Sequence, residues 1–213
     1  MENTLSDMRK DYRRGYLRRD DLSENPYHLF KEWFAHAMDS GIPEPNAMVL
    51  STINSLQQPS SRIVLLKDFD EEGFVFFTNY ESNKGIEISG NPQVALLFAW
   101  HSIERQVRIE GTAFKTSPDV SDRYFFSRPA GSRLGAWVSA QSKVIGSREE
   151  LETRQKQYHA RFGEEVPRPE WWGGYIVEPV MFEFWQGRSD RLHDRFRYRR
   201  SDGGSWDINR LAP

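Results

Sequence analysis

Apolar residues first recur at helical spacing early in the chain, where Leu29, Phe30, Trp33, Phe34, Ala37 and Met38 form one stripe. Asn25 before Pro26 supplies a cap and a proline at the first helical position, and Gly41 and Pro43 end the run, so the pattern predicts an amphipathic helix. From Ala47 the period shortens. Met48 to Ile53, Arg62 to Lys67, Phe74 to Thr78, Val94 to Trp100 and Gln106 to Lys115 read as strands, separated by turn signals at Asn54-Ser55, Asp70 to Gly73 and Asn91-Pro92. Short helices open at Ser82 and at Ser117-Pro118. A longer one begins at Ser147, with Glu150 completing a capping box, and runs to about Phe162. Strands return at Tyr175 to Val180, Met181 to Gln186, Arg195 to Arg199 and Trp206 to Ile208, the last after the turn Asp202-Gly203-Gly204. The order predicts a mainly β, α+β fold, a small antiparallel barrel with peripheral helices. Residues 1–22 show no apolar stripe and read as a flexible arm before a single domain over 23–213.

Composition narrows the chemistry. With 29 Lys and Arg against 31 Asp and Glu, the net charge of -2 gives no global positive field for nonspecific nucleic-acid binding. The absence of cysteine removes disulfides, thiolate metal sites and cysteine nucleophiles. His193 has no second ligand at metal spacing, so no metal is expected. The first residues resemble neither a signal nor a transit peptide, and the longest apolar run, Val94 to Trp100, is too short to span a bilayer; a cytoplasmic protein without membrane contact is expected. No glycine-rich phosphate loop follows a strand, so any phosphorylated ligand must be held by side chains.

Three places could do so. Arg62 and Lys67 flank an apolar strand and point to opposite faces, so they would serve two anions or one bent site, or merely reach solvent. Ser82-Asn83-Lys84 opens a helix with a lysine beside its N-terminal amides. Tyr124 and Arg128 share a helix face, with Ser132 just beyond its end, a set suited to phosphate but equally to a core tyrosine beside a surface arginine. Further on, Trp185 and Gln186 precede Arg191, His193 and Arg195. On one strand these three would repel unless an anion or a π-face lay against them.

These pieces occur together in one family. R-K-D-Y at 9–12, R-I-V-L-L-K at 62–67, F-F-T-N at 76–79, E-R-Q-V at 104–107, S-R-P at 127–129, G-A-W-V-S-x-Q-S at 135–142, W-Q-G at 185–187 and R-L-H-D-R at 191–195 stand in the order and spacing of pyridoxine/pyridoxamine 5′-phosphate oxidases, which the chain resembles from Arg9 to its last residues. The resemblance implies an FMN-binding split β-barrel working as a homodimer, with FMN between the subunits. It implies that Arg62 and Lys84 hold the FMN phosphate, and that Ile63, Val64, Leu65, Leu66, Lys67, Phe77, Thr78, Asn83, Gln106, Gln141, Ser142, Trp185 and Arg195 complete the cofactor site. Lys67, Tyr124, Arg128 and Ser132 are implied to hold the substrate phosphate, Arg191 and His193 to act catalytically over the pyridine ring with Leu192 beside them, and Arg9, Lys10, Asp11 and Tyr12 to close over the site. One departure stands out. The family commonly has S-R-K where this chain has Ser82-Asn83-Lys84; a hydrogen bond to a charged group is worth about 1.5 to 3 kcal/mol, so FMN affinity is expected to be roughly 10 to 150-fold lower unless another donor substitutes.

The implied reaction is oxidation of pyridoxine or pyridoxamine 5′-phosphate to pyridoxal 5′-phosphate, with dioxygen as acceptor, hydrogen peroxide as product, and ammonia released from the amine. Remote phosphate binding would position the reacting carbon, Arg191 would cover the ring face away from the flavin, and Arg195 would stabilise reduced flavin. Two alternatives remain: a split-barrel flavin reductase or non-catalytic flavin-binding module, which would not need the substrate set, and a nucleic-acid-binding barrel using Arg13, Arg14, Arg18 and Arg19, against which the net charge counts.

Overall fold

The computed structural model describes residues 4–8 and 10–213. Helix α1 (Pro26–Asp39) forms as predicted, with the Asn25 side chain accepting the Tyr27 N–H. Eight longer strands follow the predicted runs: β1 (Ala47–Ile53), β2 (Pro59–Leu65), β4 (Phe74–Asn79), β5 (Gln93–Trp100), β6 (Arg105–Lys115), β7 (Trp172–Gln186), β8 (Asp194–Arg200) and β9 (Trp206–Leu211), with a two-residue β3 (Asp68–Phe69) after β2. Hydrogen bonding runs in the order β2-β1-β5-β6-β7-β4-β3, and β8 pairs with β7 and β9. Helices α2 (Asn83–Gly90), α3 (Pro118–Ser127), α4 (Ala130–Val138) and α5 (Arg148–Phe162) complete the chain. No helix among the described residues is long and apolar enough to cross a membrane.

Several expectations change. The segments 175–180 and 181–186 are one strand, β7. Its first half pairs with β4 (Phe74↔Val177 to Asn79↔Trp172) and its second with β8 (Met181↔Arg199 to Gln186↔Asp194), and Pro179, which has no N–H to donate, falls between the two registers. Strand β2 ends at Leu65, so Lys67 lies beyond it. Helix α4 was not predicted, because Gly131 and Gly135 dilute its apolar face and Pro129 reads as a stop; Ser132 therefore sits in its first turn, not in a loop. The capping box at Ser147 does not form. Ser147 makes no side-chain cap, and the Glu150 carboxylate instead accepts the Gly146 N–H at 3.1 Å.

The chain forms two compact units, one from the described part of Met1–Val49 with Ala95–Gly111 and Pro179–Pro213, the other from Leu50–Val94 and Thr112–Glu178. In the first, the α1 stripe meets sheet aromatics edge to face, Tyr27 on Phe182 at 5.2 Å, Trp33 on Phe184 at 5.3 Å and Phe30 on Phe98 at 5.0 Å. The arm is tied to this unit by more than its composition suggests: Leu17 is buried, and the backbone N–H groups of Arg14 and Leu17 donate to Glu104 and Asp194. In the second, Phe125, Leu134, Val138, Val166 and Trp172 form a buried cluster flanked by Phe77, Tyr124 and Trp137.

Candidate active site

In the second unit a cavity of about 470 Å³ is lined by Val64, Leu65, Lys67, Phe77, Thr78, Lys84, Tyr124, Arg128, Ser132 and Gln141 among others. Local sequence explains each wall. Strand β4 stops at Asn79, whose side chain accepts the Glu81 N–H at 2.7 Å, and Ser82 then caps α2 by accepting the Gly85 N–H. This brings Lys84 into the first turn, buried, with its Nζ donating to Ser82 Oγ at 3.3 Å and Gln141 Oε1 at 3.2 Å. Both partners are neutral, and no ion pair to Lys84 occurs among the described residues. Burial lowers the pKa of this ammonium, and the nearby Arg62 charge lowers it further against a smaller opposing effect of Glu87. Thr78 Oγ1 lies 3.4 Å from the same Gln141 oxygen, so Gln141 joins β4 to α2 across the cavity wall.

The rest of the lining is aromatic and cationic. Phe77 stacks on Tyr124 at 4.0 Å and on Trp172 at 5.6 Å, and the Arg128 guanidinium lies 4.6 Å from the Trp172 ring centre. Arg128 Nη1 is buried with no hydrogen-bond partner among the described residues, and burial lowers the guanidinium pKa from its usual value. Lys67 Nζ stands 5.8 Å from the Tyr124 ring centre. Helix α4 contributes Ser132, Gly135 and Ala136 from one face.

The remaining predicted residues of this unit take other places. Arg62 does not line the cavity but is turned into a hydrogen-bonded cluster with Thr52, Ser60 and Glu87. Ile63 is on the cavity edge and 71% exposed. The Leu66 side chain belongs to the core, so it offers a ligand nothing but backbone. Asn83 borders a separate cavity with Ile86 and Glu87. Ser142 is exposed, at φ 69, and does not line the cavity.

In the first unit, Lys10, Asp11, Tyr12, Arg191 and His193 line another cavity, of about 460 Å³. The Tyr12 ring meets Trp185 at 5.7 Å and His193 at 5.8 Å, and Trp185 meets His193 at 4.6 Å. His193 Nδ1 accepts the Arg188 N–H at 3.1 Å, which leaves the proton of the neutral ring on Nε2. Burial, and then the charges of Arg191 and Arg195, hold the His193 pKa below its usual value, so the neutral ring is favoured. Leu192 is exposed, Gln106 is half-buried on β6, and Arg9 lies outside the described residues.

One expectation fails here. Arg191, His193 and Arg195 do not share a strand face, because Arg191 ends a one-turn 3-10 helix with a left-handed φ of 60 and β8 starts only at Asp194. Nor is Arg195 an uncompensated cation. Its Nη2 lies 2.7 Å from Glu183, a buried carboxylate that also pairs with Arg108 at 2.8 Å. Sequence reasoning missed Glu183, as it missed Glu87 and Glu104, since the partners of each lie far along the chain. Among the described residues no group of three or more metal-ligating side chains exists.

Comparison with known proteins agrees with this arrangement. A family model described as pyridoxamine 5′-phosphate oxidase matches residues 34–162, and one for the C-terminal dimerisation region of pyridoxine 5′-phosphate oxidase matches 172–213. A pyridoxine/pyridoxamine 5′-phosphate oxidase of Paraburkholderia phymatum is 56% identical over 99% of this chain and 100% of its own, and one of Cupriavidus necator 53% identical over 98% and 99%. Among solved structures, PhzG from Burkholderia lata in complex with tetrahydrophenazine-1-carboxylic acid is 34% identical with a TM-score of 0.86, covering 91% of this chain and 95% of that one. A pyridoxamine 5′-phosphate oxidase-related, FMN-binding protein of Nostoc punctiforme is 16% identical with a TM-score of 0.72, covering 90% and 100%, a likeness of fold alone, that of the FMN-binding split barrel. From these matches and the full-length identity, the chain belongs to the pyridoxine/pyridoxamine 5′-phosphate oxidase family, a family of oxidoreductases.

Proposed function

We propose that the protein oxidises pyridoxine 5′-phosphate and pyridoxamine 5′-phosphate to pyridoxal 5′-phosphate with FMN as cofactor and dioxygen as acceptor, as a homodimer of domains 23–213 whose arms, residues 1–22, close over the substrate. The observation that carries the reading is the second unit's cavity, which holds two separate cationic stations, Lys84 at a helix N-terminus and Arg128 with Lys67, on an aromatic wall. A ligand pair with two anionic groups and flat rings suits it. Lys84 fits a cofactor phosphate because it is a buried ammonium whose partners are neutral and whose helix offers first-turn amides.

The chemistry supplied by bound FMN is two-electron oxidation with dioxygen as final acceptor, giving hydrogen peroxide. The chain's own residues bind and orient. Arg128 and Lys67 would fix the substrate phosphate, with Tyr124 and Ser132 donating hydroxyls, so that binding energy remote from the reacting carbon holds it in place. Neutral His193 would present an Nε2–H to the substrate, beside Arg191, and the Tyr12 and Trp185 rings would exclude water around it. The C-terminal dimerisation match supports the homodimer.

The test is to incubate purified protein with FMN and pyridoxine 5′-phosphate in air and follow aldehyde and peroxide together. Stoichiometric formation of both is expected, and neither forming at saturating FMN would contradict the reading. The likeness to PhzG, whose structure holds tetrahydrophenazine-1-carboxylic acid, favours one second reading, a partly reduced ring carboxylate in place of the phosphate; oxidation of that acid, without oxidation of pyridoxine 5′-phosphate, would select it.

A further inference from the structure

Helix α2 carries a carboxylate that the phosphate site above does not use. Glu87 stands one turn beyond Lys84 with its side chain 12% exposed, and its Oε2 accepts from Thr52 Oγ1 at 2.5 Å, Ser60 Oγ at 2.8 Å and Arg62 Nη2 at 3.0 Å. The same two hydroxyls accept from the guanidinium, Nη1 donating to Thr52 at 2.5 Å and Nη2 to Ser60 at 2.5 Å, while Nη1 also donates to the Leu50 carbonyl at 3.2 Å. The two terminal nitrogens are thus held by three neutral acceptors and one full negative charge. Burial opposes ionisation of Glu87, but the hydrogen bonds from Thr52 and Ser60 and the Arg62 charge outweigh it and hold the carboxyl below its usual range. The carboxylate is therefore charged at neutral pH.

The charge count of the cradle follows. Arg62 and Lys84 supply two positive charges and Glu87 one negative, and position 83 is a neutral Asn. A phosphate monoester brings about -1.5 to -2 at neutral pH, more than the remaining single positive charge compensates. We infer that Glu87 is both the counter-ion that positions Arg62 and its competitor for the cofactor phosphate, so that Glu87, acting through Arg62, sets how strongly this protein distinguishes a phosphorylated flavin from an unphosphorylated one. The inference rests on the FMN reading above and deepens it. Glu87 explains why Arg62 is turned away from the cavity, and it works in the same direction as Asn83, toward weak retention of the cofactor.

The experiment titrates the full chain, stripped of flavin, with FMN and with riboflavin, and reads quenching of flavin fluorescence. The deciding quantity is the ratio of the riboflavin Kd to the FMN Kd, which isolates the phosphate contribution. In Glu87→Gln, which keeps an oxygen for Thr52, Ser60 and Arg62 but removes the charge, the ratio is expected to rise about tenfold, equivalent to about 1.4 kcal/mol, with the riboflavin Kd unchanged. Glu87→Ala, measured in parallel, should raise the ratio too, and an unchanged riboflavin Kd shows that either variant is folded. A ratio that stays level or falls in the folded variants overturns the inference while leaving the FMN reading intact. Wild-type protein that quenches neither flavin would instead remove the FMN reading itself.

Discussion

Arg128 is where the substrate reading meets a single side chain. A buried donor left without a partner costs about 1 to 3 kcal/mol, and Arg128 Nη1 is such a donor, on the wall of a cavity and away from any carboxylate among the described residues. A ligand anion offsets that cost. Arg128→Met keeps an apolar stem against the Trp172 ring and removes the donors, so kcat/KM for pyridoxine 5′-phosphate should fall roughly 10 to 150-fold, with kcat sharing in the loss because the phosphate grip positions the reacting carbon. Steady-state kinetics check this, and an unaltered kcat/KM would take Arg128 out of the site. At this scale the sequence was readable where chemistry is local. Tyr124 and Arg128, at i and i+4, do line one cavity, and Lys84 does sit in a first helical turn. It was unreadable where a charge is answered from far along the chain. Glu87 answers Arg62, and Glu183 answers Arg195 and Arg108, and no local pattern announces either.

At the scale of elements, the site depends on how closely α2 follows β4. A Cβ added to Gly85 would lie 2.2 Å from the Tyr80 carbonyl oxygen, a backbone atom that cannot swing aside. Gly85→Ala should therefore displace the first turn of α2 and Lys84 with it, lowering stability by about 1 to 3 kcal/mol and weakening FMN binding. Thermal unfolding and flavin titration measure the two effects; a variant with wild-type melting and wild-type FMN affinity would show that the helix start is free to adjust. Most elements were legible because their apolar period and caps agree, as in α1 with its Asn25-Pro26 start. Helix α4 is hidden by two glycines, and Tyr175 to Val180 and Met181 to Gln186 read as two strands although they are one, β7, which changes partner around Pro179.

For the whole molecule, a net charge of -2 means that attraction for phosphorylated ligands must be concentrated locally rather than spread over the surface. Two cationic stations in one cavity meet that requirement; Lys84 stands in a motif of its own, whereas Lys67 and Arg128 belong to separate motifs that the fold brings into one lining. The central claim is that a gripped substrate phosphate does the positioning. It is tested most directly by the ratio of kcat/KM for pyridoxine 5′-phosphate to that for unphosphorylated pyridoxine, measured at saturating FMN. With Arg128 and Lys67 each supplying a charged hydrogen bond of about 1.5 to 3 kcal/mol, the ratio should be on the order of 10² to 10⁴. Equal values for the two substrates would contradict the account.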